Sequence, residues 1–247
     1  MVSTNETGHQ KNVANFDALI AFATGYGASY NPSKASLAID ALKALSDQAK
    51  GAINAVSAAE PAYKNAVAAR EAAFAPLSKL TTRIINALKA TDAAKQVVDD
   101  AKSVARKIQG TRAKAKLTDE QKKALAEQGK EVVEISTSQM SFDNRLDNFF
   151  KLTQLLASVP EYAPNETELK VDTLNRMMDD LKAKNAAVMD ATTPLSNARI
   201  TRNEILYKVD YGLYDVAADV KAYIKSVFGA SSPQYRQVSK IKFTKSR

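Results

Sequence analysis

Residues 33–90 read SKASLAIDALKALSDQAKGAINAVSAAEPAYKNAVAAREAAFAPLSKLTTRIINALKA. Apolar residues recur at Leu42, Leu45, Ala49, Ala52, Val56, Ala59, Tyr63, Ala66, Ala73, Leu77, Leu80, Ile84 and Ala87, with Arg70 taking one place in the row. This alternation of three and four is the seam of a helix packed lengthwise against others, as in coiled coils. Ser33 suits the N-cap of that helix. The seam passes Pro61 without losing phase. A proline removes one backbone donor and crowds the preceding turn, so two readings compete: a bent but continuous helix, or a new helix opened by Glu60-Pro61 after a hairpin. The unbroken phase favours continuation from Ser33 to Ala90.

The stretch returns later in the chain. Residues 30–90 set against 162–222, at a constant offset of 132, share Tyr30/Tyr162, Pro32/Pro164, Leu37/Leu169, Asp40/Asp172, Leu42/Leu174, Asp47/Asp179, Lys50/Lys182, Ala55/Ala187, Val56/Val188, Ala59/Ala191, Asn65/Asn197, Ala66/Ala198, Arg70/Arg202, Lys89/Lys221 and Ala90/Ala222. Pairs such as Ile39/Val171, Phe74/Leu206, Ile84/Val216 and Leu88/Val220 keep their apolar character. Thr193-Pro194 stands one residue out of register with Glu60-Pro61. Asn148-Phe149-x-x-Leu152 repeats Asn15-Phe16-x-x-Leu19 at offset 133, so the repeat takes in the short helix before the Tyr-x-Pro turn. An internal repeat decides architecture before any motif does. The pattern predicts an all-α, elongated helical bundle made by tandem duplication, each half a short helix, a proline turn and a long kinked helix, the halves related by a pseudo-two-fold axis.

Five segments follow. Residues 1–11 read as a polar arm. Residues 12–110 form the first repeat, with a short helix at 12–24 stopped by Gly25-Tyr-Gly27, the long helix, and a further helix from Ala93 to Ile108 ended by Gly110. Residues 111–130 are a basic and polar linker in which Thr118-Asp-Glu-Gln121 is a capping-box start for a short helix. Residues 131–229 are the second repeat, with helices at about 131–158 and 166–228 and Gly229 as the stop. Residues 230–247 are a basic tail where Tyr235, Val238, Ile241 and Phe243 read as a short strand or extended arm. That arm either packs along the bundle or adds to a neighbouring subunit.

The bulk numbers agree. The 247 residues are 45% hydrophobic, enough for a sizeable core, while only 8 Gly and 7 Pro suit long helices joined by few turns. With no Cys there is no disulfide framework, thiol nucleophile or thiolate metal site. The single His, His9, reads as a residue of the polar arm. The start MVSTNETGHQKN shows no signal peptide, and no run approaches the about 18 apolar residues that span a bilayer. The expectation is a cytoplasmic protein, with leaderless export left open.

The net charge of +8 is unevenly placed. Lys102, Arg106, Lys107, Arg112, Lys114 and Lys116 occupy a segment without acids, and Lys221, Lys225, Arg236, Lys240, Lys242, Lys245 and Arg247 follow Asp219 with none after it. These ends could neutralise phosphates, but residues 102–116 lack aromatic side chains for base stacking. Solvation, or contact with an acidic surface of another subunit, is favoured.

Chemistry-bearing patterns are sparse. Asp99-Asp100 and Asp179-Asp180 are adjacent on helices and diverge by about 100°. No Glu-x-x-His pair occurs for a di-metal bundle, and the glycines form no phosphate loop. No catalytic residue, cofactor, metal or small-molecule substrate is therefore expected. Arg70 and Arg202 on the seam read either as aliphatic stems with heads in water or as buried ion pairs that fix register.

The segments Gly-Tyr-Gly-Ala-Ser-Tyr-Asn-Pro-Ser-Lys (25–34) and Val-Phe-Gly-Ala-Ser-Ser-Pro-Gln-Tyr (227–235) resemble turns of all-helical proteins of Bacteroidetes-type bacteria. The resemblance implies an all-α fold and no activity. The reading is a non-enzymatic structural or protein–protein interaction protein, a subunit of an assembly with itself or another protein. Its termini, with Arg112, Lys114, Lys116, Tyr235, Lys240, Ile241, Lys242, Phe243 and Lys245, would make the contacts. The structural residues are Pro61, Pro194, Arg70 and Arg202. The alternatives are an anion-binding module for nucleic acid or acidic membrane that uses the basic clusters, and an α-helical pore former.

Overall fold

The computed structural model describes residues 4–111 and 140–245. Its helices are α1 (Thr4–Gly25), α2 (Ile39–Phe74), α3 (Leu77–Lys89), α4 (Lys95–Gln109), α5 (Phe142–Ala157), α6 (Val171–Tyr207), α7 (Leu213–Phe228) and α8 (Pro233–Ser239). Short 3-10 turns sit at Ala35–Leu37 and Thr167–Leu169. Among the described residues there is no strand, so the all-α expectation holds. The short linker helix read as starting at Thr118-Asp-Glu-Gln121 lies outside the described residues.

Both long helices run through their prolines. Pro61 and Pro194 are exposed, so the missing donor and the ring fall on the solvent side, where water solvates the freed carbonyl. In α6 the buried row continues across the proline, whereas in α2 no residue between Val56 and Phe74 is fully buried. In α6, Leu174, Leu181, Val188, Leu195 and Arg202 follow one another at intervals of seven, and all are buried. In α2, Leu42, Ala49 and Val56 do the same.

The helices are shorter than the seam implied. α2 starts at Ile39 rather than Ser33, because the Tyr30 hydroxyl donates to Leu37 O at 2.8 Å and holds the turn as a 3-10 segment flanked by extended Lys34 and Ala38. Tyr162 makes the same bond to Leu169 O at 2.9 Å. After Phe74 the chain turns at Ala75-Pro76, where the residue before a proline avoids the α region. After Tyr207 it turns through Lys208–Gly212: Asp210 adopts φ 69° and donates its N–H to Asp215 Oδ2 at 3.0 Å. Gly212 packs so closely that an added Cβ would lie 2.7 Å from Lys208 N. Of the helix read over 131–158, residues 131–139 lie outside the described residues, and the rest starts at Phe142, where Ser141 caps α5 by accepting from Asn144 N–H at 3.2 Å. Gly27, Gly110 and Gly229 all have positive φ at the ends read for them.

The described chain forms two compact units. The first combines residues 1–64 with 191–247, and the second spans 65–190. Neither unit is one repeat. Because α2 and α6 do not fold back at their prolines, each unit joins the first part of one repeat to the last part of the other. The first core gathers Phe16 and Leu19 of α1, Leu42 and Ile53 of α2, Leu206 of α6, Val216, Val220 and Ile224 of α7, and Val238 of α8. The second gathers Phe74, Leu77, Ile84, Leu88, Ala101, Ile108, Phe149, Leu152, Leu174 and Leu181. Each large side chain so buried stabilises by about 1.5–3 kcal/mol.

Gly212→Ala is expected to lower stability by about 1–3 kcal/mol by overpacking the α6–α7 turn, measured by urea denaturation. A second expectation concerns alkali. Burial, reinforced by Tyr223 for Tyr30 and by Glu166 for Tyr162, pushes both phenols from an ordinary value of 10.0 up to about 12. The folded state therefore holds these protons more tightly than the unfolded chain does. Their contribution is fully present below about pH 10 and is lost as the pH rises towards 12. The double variant Tyr30→Phe, Tyr162→Phe should lose stability at pH 8, through two orphaned carbonyls at about 1–3 kcal/mol each, and should lose less than the parent between pH 10 and 12.

Candidate interaction site

The tail folds back on its own chain. Residues 233–239 form α8, capped by Ser232, whose hydroxyl accepts from Tyr235 N–H at 3.1 Å. An extended segment, 241–245, then lies along α1 in the first unit. Asn12 clamps it from both sides, Nδ2 donating to Thr244 O at 2.7 Å and Oδ1 accepting from Thr244 N–H at 2.9 Å. Asn15 Nδ2 donates to Lys242 O at 2.7 Å. From α7, Lys221 donates to Ile241 O and stands 5.0 Å from the centre of the Phe243 ring, and burial lowers its ammonium pKa.

This arrangement divides the candidate residues. Tyr235, Ile241 and Phe243 pack against the first core. Lys240, Lys242 and Lys245 are exposed, and Lys245 Nζ stands 5.8 Å from the Tyr214 ring centre. Arg112, Lys114 and Lys116 lie outside the described residues.

The two seam arginines sit in different surroundings. The Arg70 guanidinium lies 4.1 Å over the Phe142 ring, which packs edge-on against Phe74 at 4.9 Å. Arg145 stands 5.4 Å from the Phe74 ring and donates to Phe74 O at 3.2 Å, and burial lowers its pKa. Two cations thus flank two rings in the second unit, a favourable use of the ring faces. Arg202 is 5% exposed, so its head is not in water, and it donates to Asn203 Oδ1 at 2.9 Å. His9, read as an arm residue, is buried on α1 with Nδ1 2.6 Å from the Tyr207 hydroxyl.

Two features escaped the sequence reading. One is the α6–α7 turn, where Val209 and Tyr211 stand 65% and 74% exposed on a backbone held by Gly212 and by the Asp210–Asp215 bond. The Asp210-Tyr-Gly212 triplet was the available signal. The other is an open groove of about 550 Å³ in the second unit between the end of α3 and the turn after α5, lined by Arg83, Ala87, Thr91, Tyr162, Pro164 and Glu166 among others. Arg83 forms an exposed ion pair with Glu168 at its edge. Among the described residues no group of three His, Cys, Asp or Glu side chains is placed to hold a metal ion. No helix there is long and apolar enough to cross a membrane.

Asn12→Ala removes both bonds to Thr244. It should speed amide exchange at 241–245 and lower stability by about 1–3 kcal/mol, read by hydrogen exchange and denaturation. Comparison with known proteins finds no family model that matches the chain, no similar curated protein and no similar solved structure.

Proposed function

We propose that the chain is a non-enzymatic structural protein, built by tandem duplication, that serves as a subunit of an assembly through protein–protein contacts. The observation that carries this reading is the α6–α7 turn. Exposed apolar side chains cost solubility unless they are covered, and a tyrosine is among the residues that most often anchor interfaces. Here Val209 and Tyr211 stand out on a rigid turn, so little conformational entropy is lost when a partner covers them. The duplication is supported by bonds that recur at the same offset, Tyr30 to Leu37 and Tyr162 to Leu169. With the tail bound to α1, the contacts shift from the terminus to this turn.

Light scattering on the purified chain should give a mass that rises with concentration. The double variant Val209→Ser, Tyr211→Ser should shift that rise to higher concentration while leaving the circular dichroism spectrum unchanged. A monomer mass at every concentration would sink the reading.

A further inference from the structure

The end of the chain collects cations and folds them together in the first unit. Residues 220–245 hold six basic side chains, Lys221, Lys225, Arg236, Lys240, Lys242 and Lys245, and no acid. Tyr214, Lys221 and Lys225 follow one another on α7 at intervals of seven and four, so they share a stripe of that helix about 16 Å long. The tail runs back along this stripe and meets it at three cation–ring contacts. Lys225 Nζ stands 5.7 Å from the Tyr235 ring centre, Lys221 Nζ 5.0 Å from that of Phe243, and Lys245 Nζ 5.8 Å from that of Tyr214. The bonds from Asn12, Asn15 and Lys221 to the backbone of 241–245 fix the tail in this place.

Packing takes the apolar side of the tail and leaves its charge outside. Ile241 and Phe243 pack against the first core, while Lys225, Arg236, Lys240, Lys242 and Lys245 are exposed. None of these five forms an ion pair with a described residue. A ring contact orients an ammonium group and leaves it charged. The neighbouring acids are engaged on other sides of their helices. Asp215 accepts from Asp210 N–H at 3.0 Å, Asp219 pairs with Lys34 at 2.6 Å, and Asp17 of α1 pairs with Lys50 at 3.0 Å.

We infer that this basic side of the first unit is a docking surface for an anionic lipid membrane, held at the headgroups by charge and without insertion. Four of the five exposed cations are lysines. They act as point charges and lack the two-pronged fork with which arginine reads a single carboxylate or phosphate. From residue 229 to 245 no large hydrophobic side chain is exposed, so the surface offers no anchor for a protein interface. Single-stranded nucleic acid stacks its bases on open rings, whereas each of the three rings here already faces an ammonium group of the chain. A duplex is read by a helix or ribbon that enters a groove, and the segment 241–245 is bound along α1 rather than projecting. Lysines spread over one side of a unit fit a partner whose negative charge is itself spread over a plane. The surface shares no residue with the Val209 and Tyr211 contact, and it stands whether or not the chain assembles.

The test is co-sedimentation of the full chain with vesicles of phosphatidylcholine containing about one-third phosphatidylserine. Binding is expected at about 0.05 M salt and should be lost at about 0.5 M, where the charges are screened over a few ångströms. Vesicles of phosphatidylcholine alone should not bind. A lysine near such a surface strengthens binding about fivefold, so Lys240→Gln, Lys242→Gln and Lys245→Gln together should weaken it about 100-fold. Lys242 makes no side-chain bond among the described residues, and Lys242→Glu alone should weaken binding about 25-fold. As a control, Lys43→Gln, Lys79→Gln and Lys89→Gln remove the same total charge from exposed sites on α2 and α3 and should change binding less than about threefold. All variants should keep the parent's circular dichroism spectrum. The inference is overturned if the parent ignores anionic vesicles at low salt, or if the two triple variants weaken binding alike. It is overturned equally if a DNA duplex binds more tightly than the vesicles and strips the chain from them, which would make nucleic acid the partner.

Discussion

A proline within a helix costs one hydrogen bond and crowds one turn, and both long helices here carry theirs on the exposed side. The consequence reaches well beyond Pro61 and Pro194. Had either proline opened a hairpin, each repeat would have closed on itself into a unit of its own. Because the helices continue, each unit is completed by the other repeat, and neither repeat holds a whole core. The chain is in this sense one folding problem. Its second unit has its own first-repeat residues, 65–110, before the chain reaches α5, yet its core also needs Phe149, Leu152 and Leu174 from the second repeat.

Positions 132 apart match in the two tyrosine turns and differ in the segments around them. The Tyr30 and Tyr162 turns share their bond to the carbonyl seven residues on. The helices packed beside them differ: in one unit α7 is longer and carries Asp219 and Tyr223; in the other the positions 132 earlier are Ala87 and Thr91, with an open groove beside them. The junctions differ too, a proline turn after α2 and a glycine turn after α6, and only the latter lifts a tyrosine into solvent. Where the second unit sets Arg70 over the Phe142 ring, the first sets the His9 ring 5.5 Å from the Tyr207 ring.

Much of this was legible in the residues. The seam spacing predicted the buried positions Leu42, Ala49, Ala52 and Val56 of α2, Gly110 and Gly229 marked two helix ends, and continuity through the prolines followed from unbroken phase. Ser33 has the character of a cap, but the bond from the Tyr30 hydroxyl to Leu37 O moves the helix start to Ile39. Apolar spacing continues across the turn at 208–212, at Val209 and Leu213, and so hides it in the sequence. The groove was not legible, since it is an absence beside Tyr162 that exists only once α3 and the turn after α5 are brought together.

The amino-acid sequence by itself determined the all-α class, the two long helices and the equivalence of positions 132 apart, because helical periodicity and identity at a fixed offset are local or pairwise properties of the string. Only the tertiary structure decided which repeat completes which core, that the tail lies on α1 through Asn12, and that Tyr211 is exposed while Tyr223 is packed. Those outcomes depend on which surfaces meet. A residue's own neighbours in sequence do not encode that.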